Sequence, residues 1–446
     1  MTGLFGTDGV RGLANKELSC DVAFKLGQAA VANLGNNIVV GKDTRLSGDM
    51  LESAVAAGIM SMGGTALLAG VIPTPAVAVV VRELYADGGI VISASHNPPE
   101  YNGIKFFDAQ GFKLPDDKEA EIEGFVNGGG AIDKDMPSGD AVGVALQVEN
   151  AAEIYIEFVV KSIENQKIDF KGYKVALDVG HGASAYTSLE ALKRLGAEVF
   201  VINDEFCGTD INVECGSTCL KPLRDLMEES KADIGIAHDG DADRVMMVSS
   251  DGKEIDGDMI EAVCALDMKS QGKLTHNTVV TTVMCNLGFV RAMQDNDIEI
   301  VQTKVGDRYV LEAMLENGHV IGGEQSGHVI LLDHNTTGDG LLVACHFLAA
   351  CKRSGKSIND AVAIMKRFPQ VLINVCDVDK QALSENQVVK ECVFVAEEKL
   401  GDSGRVLVRP SGTEPVIRVM VEATEESIAT QIAAEIAQTI ENELRI

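Results

Sequence analysis

Ile38-Val39-Val40-Gly41-Lys42-Asp43-Thr44-Arg45 runs from a β-branched apolar stretch into a polar loop. The chain then reads as a helix near Asp49 to Met62, stops at Gly63-Gly64, and resumes an apolar run at Thr65-Ala66-Leu67-Leu68. Strand, loop, helix and strand in that order make a β-α-β unit. Ile90-Val91-Ile92 supplies a further strand. The pattern then repeats. Val175-Ala176-Leu177-Asp178, a helix near Ala185 to Leu195, a stop at Gly196 and Val199-Phe200-Val201-Ile202 form a second copy, extended by Ile234-Gly235-Ile236-Ala237. Thr278-Val279-Val280-Thr281, a helix near Gly288 to Asp295, Ile298-Glu299-Ile300-Val301 and His319-Val320-Ile321 form a third. The end differs: Leu372 to Val375, Val406 to Val408 and Ile417 to Val421 precede one helix, in which Ile428, Ile432, Ile436 and Ile440 recur every fourth residue as a buried stripe. The fold class is α/β, with three consecutive similar α/β domains in mixed sheets and a smaller C-terminal α+β domain. Boundaries fall at 1–150, 151–253, 254–368 and 369–446, with the Gly128 to Gly143 stretch as a surface connection.

Composition narrows the function classes. The 446 residues are 46% hydrophobic and 24% charged, enough to bury several cores. With 38 Lys and Arg against 67 Asp and Glu, the net charge of -29 repels phosphate backbones and anionic membranes, so neither a nucleic-acid nor a membrane partner is expected. The ten cysteines show no metal-ribbon spacing and read as core thiols. No leader-like segment opens the sequence, and the longest apolar run, Val71 to Val81, is broken by Pro73 and Pro75. These features point to the cytoplasm.

Four loops carry chemistry. In His238-Asp239-Gly240-Asp241-Ala242-Asp243-Arg244, three carboxylates alternate directly after a strand, and such crowding calls for a hard divalent cation such as Mg²⁺ or Ca²⁺. An EF-hand is excluded, because Arg244 and Ser250 stand where that loop needs Gly and Glu. Ser93-Ala94-Ser95-His96-Asn97-Pro98-Pro99 also follows a strand, where α/β sheets present reactive groups, and reads as a nucleophile loop or a capping turn. Arg409-Pro410-Ser411-Gly412-Thr413-Glu414-Pro415, with Arg418 beyond it, suits a phosphate dianion or serves as a plain hairpin turn. Gly322-Gly323-Glu324-Gln325-Ser326-Gly327-His328 offers groups that bond sugar hydroxyls and a proton donor. Gly180-His181-Gly182-Ala183-Ser184-Ala185 favours a rival class: it fits G-x-G-x-x-A after a strand, as an NAD-dependent oxidoreductase would carry.

Taken together, these loops resemble the α-D-phosphohexomutase superfamily over essentially the whole chain. Further elements of the resemblance are Phe5 to Gly12, Gly41 to Arg45, Asn102-Gly103-Ile104-Lys105, Lys304 to Val310 and Thr337 to Gly340. The resemblance implies four domains around a central cleft and an isomerase that transfers a phosphoryl group within a sugar phosphate. Ser95 would be a phosphoserine and, with Asp239, Asp241 and Asp243, would hold one Mg²⁺. His96, Arg11, Lys105 and Arg244 would assist the transfer, with His328 and Lys105 as the candidates for general acid and base. Glu324 and Ser326 would hold sugar hydroxyls, and Arg409, Ser411, Gly412, Thr413 and Arg418 the non-reacting phosphate. Members acting on glucose or mannose phosphates often carry Gly-His where this chain has Gly306-Asp307, which favours glucosamine 6-phosphate and glucosamine 1-phosphate. A sugar bisphosphate would be the intermediate and activator, and the product would feed UDP-N-acetylglucosamine and cell-wall precursors. Glucose or mannose phosphate as substrate is the nearest alternative. A homodimer is one open option for the assembly.

Overall fold

The computed structural model describes residues 3–6, 8–131, 136–411 and 416–446. The chain divides into two compact units, one of residues 1–283 with 299–363 and one of 284–298 with 364–446.

Three sheets in the first unit share one plan. In the first, the parallel strands Thr65–Val71, Asn37–Lys42 and Gly88–Ile92 lie side by side, and Tyr101–Asp108 then returns antiparallel to Gly88–Ile92. In the second, Glu198–Ile202, Lys174–Asp178 and Ile234–His238 are parallel and Val245–Ser249 returns antiparallel. In the third, Glu299–Thr303, Thr278–Thr282 and Ile321–Gly323 are parallel and Val329–Leu331 returns antiparallel. Each sheet therefore ends its parallel run in a hairpin, and the hairpin loops are Ser93 to Glu100, Asp239 to Arg244 and Glu324 to His328. Carboxyl ends of parallel strands are where an α/β sheet leaves side chains free of its own ladder.

The mixed architecture read from the sequence is the one observed, with local differences. The third copy's last parallel strand begins at Ile321, not His319. The Gly128 to Gly143 connection feeds a strand, Val144–Gln147, that pairs parallel to Thr65–Val71 and forms the sheet's outer edge. Cys20, Cys207 and Cys376 are exposed, so core burial holds only for others such as Cys264, Cys345 and Cys351.

Apolar periodicity builds the cores. Ile38, Val40, Ile90 and Ile92 of the first sheet pack on Leu26, Leu51 and Ile59 from its helices. Val280 and Ile330 of the third pack on Val310 and Met314. In the second unit, Gln370–Cys376, Val416–Ala423 and Gly404–Pro410 form an antiparallel sheet with Val416–Ala423 at its centre. Ile417, Val419 and Val421 meet Ile432, Ile436 and Ile440 of the helix Glu426–Leu444, whereas Ile428 is partly exposed. The helix Leu287–Gln294, which the repeat pattern places in the third copy, groups with this unit. Its cap residue Asn286 donates to Glu422 Oε1 at 3.1 Å, and Leu287 N donates to Glu422 Oε2 at 2.9 Å.

Candidate active site

Ser95 follows the strand Gly88–Ile92 with a left-handed backbone, φ +52°, and is 1% exposed. Its conformation is held from three sides. Ser95 N donates to Ser93 Oγ at 2.9 Å, and Ser93 Oγ donates to Asp43 Oδ2 at 2.6 Å. Arg45, itself paired with Asp43, donates to the carbonyls of Ser95 at 2.9 Å and Asn97 at 2.8 Å. Asn212 Nδ2 adds a bond of 2.9 Å to Ser95 O. A strained residue so heavily restrained is a feature of reactive sites.

The serine hydroxyl donates to Asp239 Oδ2 at 2.6 Å, with His96 Nδ1 3.3 Å away. Asp239, Asp241 and Asp243 are buried, and their ligand atoms lie within 4.8 Å of one another. Burial and the charges of Asp243 and Asp241 push the Asp239 carboxyl well above its ordinary range. Burial acts on Asp241 too, but Lys105 and a 2.6 Å hydrogen bond from Thr74 outweigh it and hold this carboxyl low. Asp241 Oδ1 and Asp243 Oδ1 are buried with no hydrogen-bond partner. Crowded carboxylates with orphaned oxygens fit a hard divalent cation, so this triad can bind a metal.

Cations surround the triad. Lys105 Nζ donates to Asp241 Oδ2 at 3.0 Å and approaches Asp243 Oδ2 at 3.5 Å. Burial alone would lower this lysine, but Asp241, Asp8 and Asp243 outweigh burial and raise it, so it remains an ammonium. Arg244 lies 3.8 Å from Asp243, and Arg11 binds Asp8 and reaches Asn97 Oδ1 at 3.4 Å. His96 is pushed down to about 4 by burial and by the charges of Arg244 and Arg11, which makes it a neutral imidazole beside the serine at neutral pH.

The sugar-type loop stands nearby in the same unit. Glu324 Oε1 accepts from Gly306 N at 3.1 Å, and both ring nitrogens of His328 are buried without hydrogen-bond partners. Ser326 is exposed at the loop's tip. Asp307, Lys113 and Asp8 connect this loop to Lys105 through ion pairs that no local motif announces.

In the second unit, Arg409 and Arg418 face each other across the hairpin of Gly404–Pro410 and Val416–Ala423. Burial and the Arg418 charge lower Arg409, a like-charge pairing that a bound anion would relieve. Ser411 is buried, and its backbone N donates to Val416 O at 2.9 Å. Gly412 and Thr413 lie outside the described residues.

The rival dinucleotide loop is built for packing. A Cβ on Gly182 would lie 2.5 Å from Gly240 O, and Ala183 N donates to that same carbonyl at 2.8 Å. The glycine backbone thus approaches the acidic loop where a pyrophosphate would have to sit. Sequence reading misses Arg45, Asn212 and Thr74 as individual site residues. The position of Asp43-Thr44-Arg45 after a strand is a signal for Arg45, while Asn212 and Thr74 have none.

Comparison with known proteins gives one consistent answer. Family models described as phosphoglucomutase/phosphomannomutase match in four parts: alpha/beta/alpha domain I at residues 2–131, domain II at 153–252, domain III at 256–368 and the C-terminal domain at 372–439. A phosphoglucosamine mutase of Alkaliphilus oremlandii is 47% identical, covering 99% of both chains. One from Ruminiclostridium cellulolyticum is 49% identical at the same coverage. The crystal structure of a phosphoglucomutase/phosphomannomutase family protein from Burkholderia thailandensis superposes with a TM-score of 0.80 at 23% identity, covering 100% of both chains.

Proposed function

The chain belongs to the phosphoglucomutase/phosphomannomutase family, and from that premise we propose that Ser95 is its phosphoryl carrier. The activity is that of its phosphoglucosamine mutase relatives: an isomerase that interconverts glucosamine 6-phosphate and glucosamine 1-phosphate. The observation that carries the serine's role is its buried hydroxyl, 2.6 Å from Asp239 at the end of a parallel strand.

Asp239, Asp241, Asp243 and the Ser95 side chain would hold one Mg²⁺. A bound divalent ion there supplies positive charge to phosphoryl oxygens. The protein's own groups do the rest. Phosphoryl transfer depends on positioning and charge neutralisation, which the Lys105 ammonium and the Arg244 and Arg11 guanidinium groups provide. As the P–O bond to Ser95 breaks, a bond from phosphorus to the sugar oxygen forms and the sugar hydroxyl releases its proton. His328, whose buried ring nitrogens make no hydrogen bond and whose Nε2 lies 3.6 Å from the Asp307 carboxylate, suits that proton. Neutral His96 can take the Ser95 hydroxyl proton when phosphate returns to the serine, and the imidazolium so formed can give it back when the serine oxygen leaves phosphorus, whereas Lys105 is too firmly charged to serve as a base.

Glu324 and Ser326 hold the sugar, and Arg409, Ser411, Gly412, Thr413 and Arg418 grip the phosphate that is not reacting, which contributes binding energy remote from the chemistry. A glucosamine bisphosphate that turns over in the site returns its second phosphate to Ser95. The domains at 1–150, 151–253, 254–368 and 369–446 then contribute, in order, the serine, the metal ligands, the sugar loop and the phosphate loop. A cytoplasmic location agrees with bacterial relatives, and no helix among the described residues is long and apolar enough to cross a membrane.

The test joins mass to turnover. Wild type primed with a sugar bisphosphate should gain about 80 Da on the Ser95 peptide, and Ser95→Ala should lose isomerisation of glucosamine 6-phosphate by at least about 10³-fold. A Ser95→Ala protein as active as wild type would refute the proposal.

A further inference from the structure

Asp307 opens the helix Asp307–Asn317, and its carboxylate is ion-paired with the Lys113 ammonium while His328 Nε2 stands 3.6 Å away. Lys113 has a second partner in Asp8 Oδ1 at 2.8 Å. Asp8 takes Lys105 at 2.9 Å, and Lys105 reaches Asp241 at 3.0 Å. Charges of alternating sign therefore run from the acidic triad to the sugar loop and end on Asp307. Burial pushes Asp8 up, but Lys105, Lys113 and Arg11 hold it well below the usual carboxylate range; Asp307 is likewise raised by burial and lowered more by Lys113. Both remain carboxylates.

Two features make the last link exchangeable. The neighbouring Arg308 pairs with Asp116 and Glu119, which anchors the helix start without help from Asp307. Lys113 keeps its bond to Asp8 whether or not Asp307 is present. The terminal carboxylate also sits beside two sugar-loop groups: Glu324, bonded to the preceding residue's N–H, and His328, whose buried ring nitrogens make no hydrogen bond and whose Nε2 faces this carboxylate.

We propose that Asp307 is the subsite for the substrate's amine, and that the 2-ammonium of an amino-sugar phosphate replaces the Lys113 ammonium on this carboxylate. The inference rests on the amino-sugar reading above. Exchange of one ammonium for another leaves no buried carboxylate uncompensated, whereas a neutral 2-hydroxyl cannot displace Lys113 without stranding a charge. The site therefore selects by charge at C2.

The experiment compares kcat/KM for glucosamine 6-phosphate and glucose 6-phosphate between about pH 6 and 9, bracketing the titration of a substrate amine. Wild type, Asp307→Asn and Lys113→Gln are assayed, with thermal unfolding as a check on folding. Asp307→Asn should reduce the preference for the amino sugar by about tenfold or more, chiefly through loss on that substrate. In wild type the amino-sugar profile should fall as the substrate amine deprotonates, relative to glucose 6-phosphate, and Asp307→Asn should abolish that difference. Lys113→Gln should keep the preference or widen it, because the amine loses its competitor. Equal losses on both sugars in Asp307→Asn, with the pH difference intact, would make the carboxylate a structural latch and overturn the inference. Should Asp307→Asn fail to fold, a reduced preference in Lys113→Gln would overturn it equally. A wild type unable to isomerise glucosamine 6-phosphate would refute the substrate reading itself, and an unaltered preference in a competent enzyme would refute only the role of Asp307.

Discussion

Glu261 lies in the helix Gly257–Ser270, fully buried, with no hydrogen-bond partner for either carboxylate oxygen. Burial first, and then the charge of Asp258, push its carboxyl well above the ordinary range. The folded state thus holds a proton that the unfolded chain releases near pH 4.3. A carboxyl raised in this way costs nothing below the unfolded pKa, and stability is lost as pH rises from there toward the folded value. Glu261→Gln should accordingly match wild type near pH 4 and exceed it near pH 8, by about 1.4 kcal/mol for each pH unit between the unfolded and the folded pKa values. Urea unfolding at the two pH values checks this, and a gap independent of pH would show that Glu261 does not titrate in that window. The sequence hides this residue, because a glutamate in a helix reads as solvent-facing until the packing is known.

Three hairpins after parallel strands place Ser95, the Asp239 loop and the Glu324 loop at one kind of position. Each strand could be read from its apolar run, and each loop from its polar residues, because both signals are local. The Gly180 turn shows where local reading stops. Its spacing fits a dinucleotide fingerprint, yet Gly182 is needed for close approach to Gly240 O. Gly182→Ala should therefore destabilise the protein by about 1–3 kcal/mol through overpacking and displace the loop from Asp239 to Asp243. Calorimetry should show weaker Mg²⁺ binding by the folded variant. Unchanged metal affinity and stability would show that the turn does not support the acidic loop.

At the scale of the whole molecule, the net charge of -29 and the buried triad act in the same direction. A divalent ion that binds only the folded state removes like-charge repulsion and stabilises it, by about 2.7 kcal/mol when its concentration is 100 times Kd. Chelation should lower Tm and abolish isomerisation, and added Mg²⁺ should restore both. In Asp241→Asn the Mg²⁺-dependent rise in Tm should be much smaller. A wild-type Tm insensitive to both chelator and Mg²⁺ would exclude the triad as a metal site.

The amino-acid sequence by itself determined the repeated strand-loop-helix order, the acidic and arginine-bearing loops and the serine between them, since apolar periodicity and residue chemistry act over a few neighbouring positions. Tertiary structure alone decided which loops meet. Ser95 finds Asp239 across 144 residues and Lys113 finds Asp307 across 194, pairings that depend on how separate sheets stack. It also decided the charge balance: Lys105 and Lys113 are ordinary lysines in sequence, and in the fold burial would lower them but the surrounding carboxylates outweigh it, so both stay ammonium ions. Short-range patterns are encoded locally, whereas desolvation and long-range ion pairs exist only once the chain has folded.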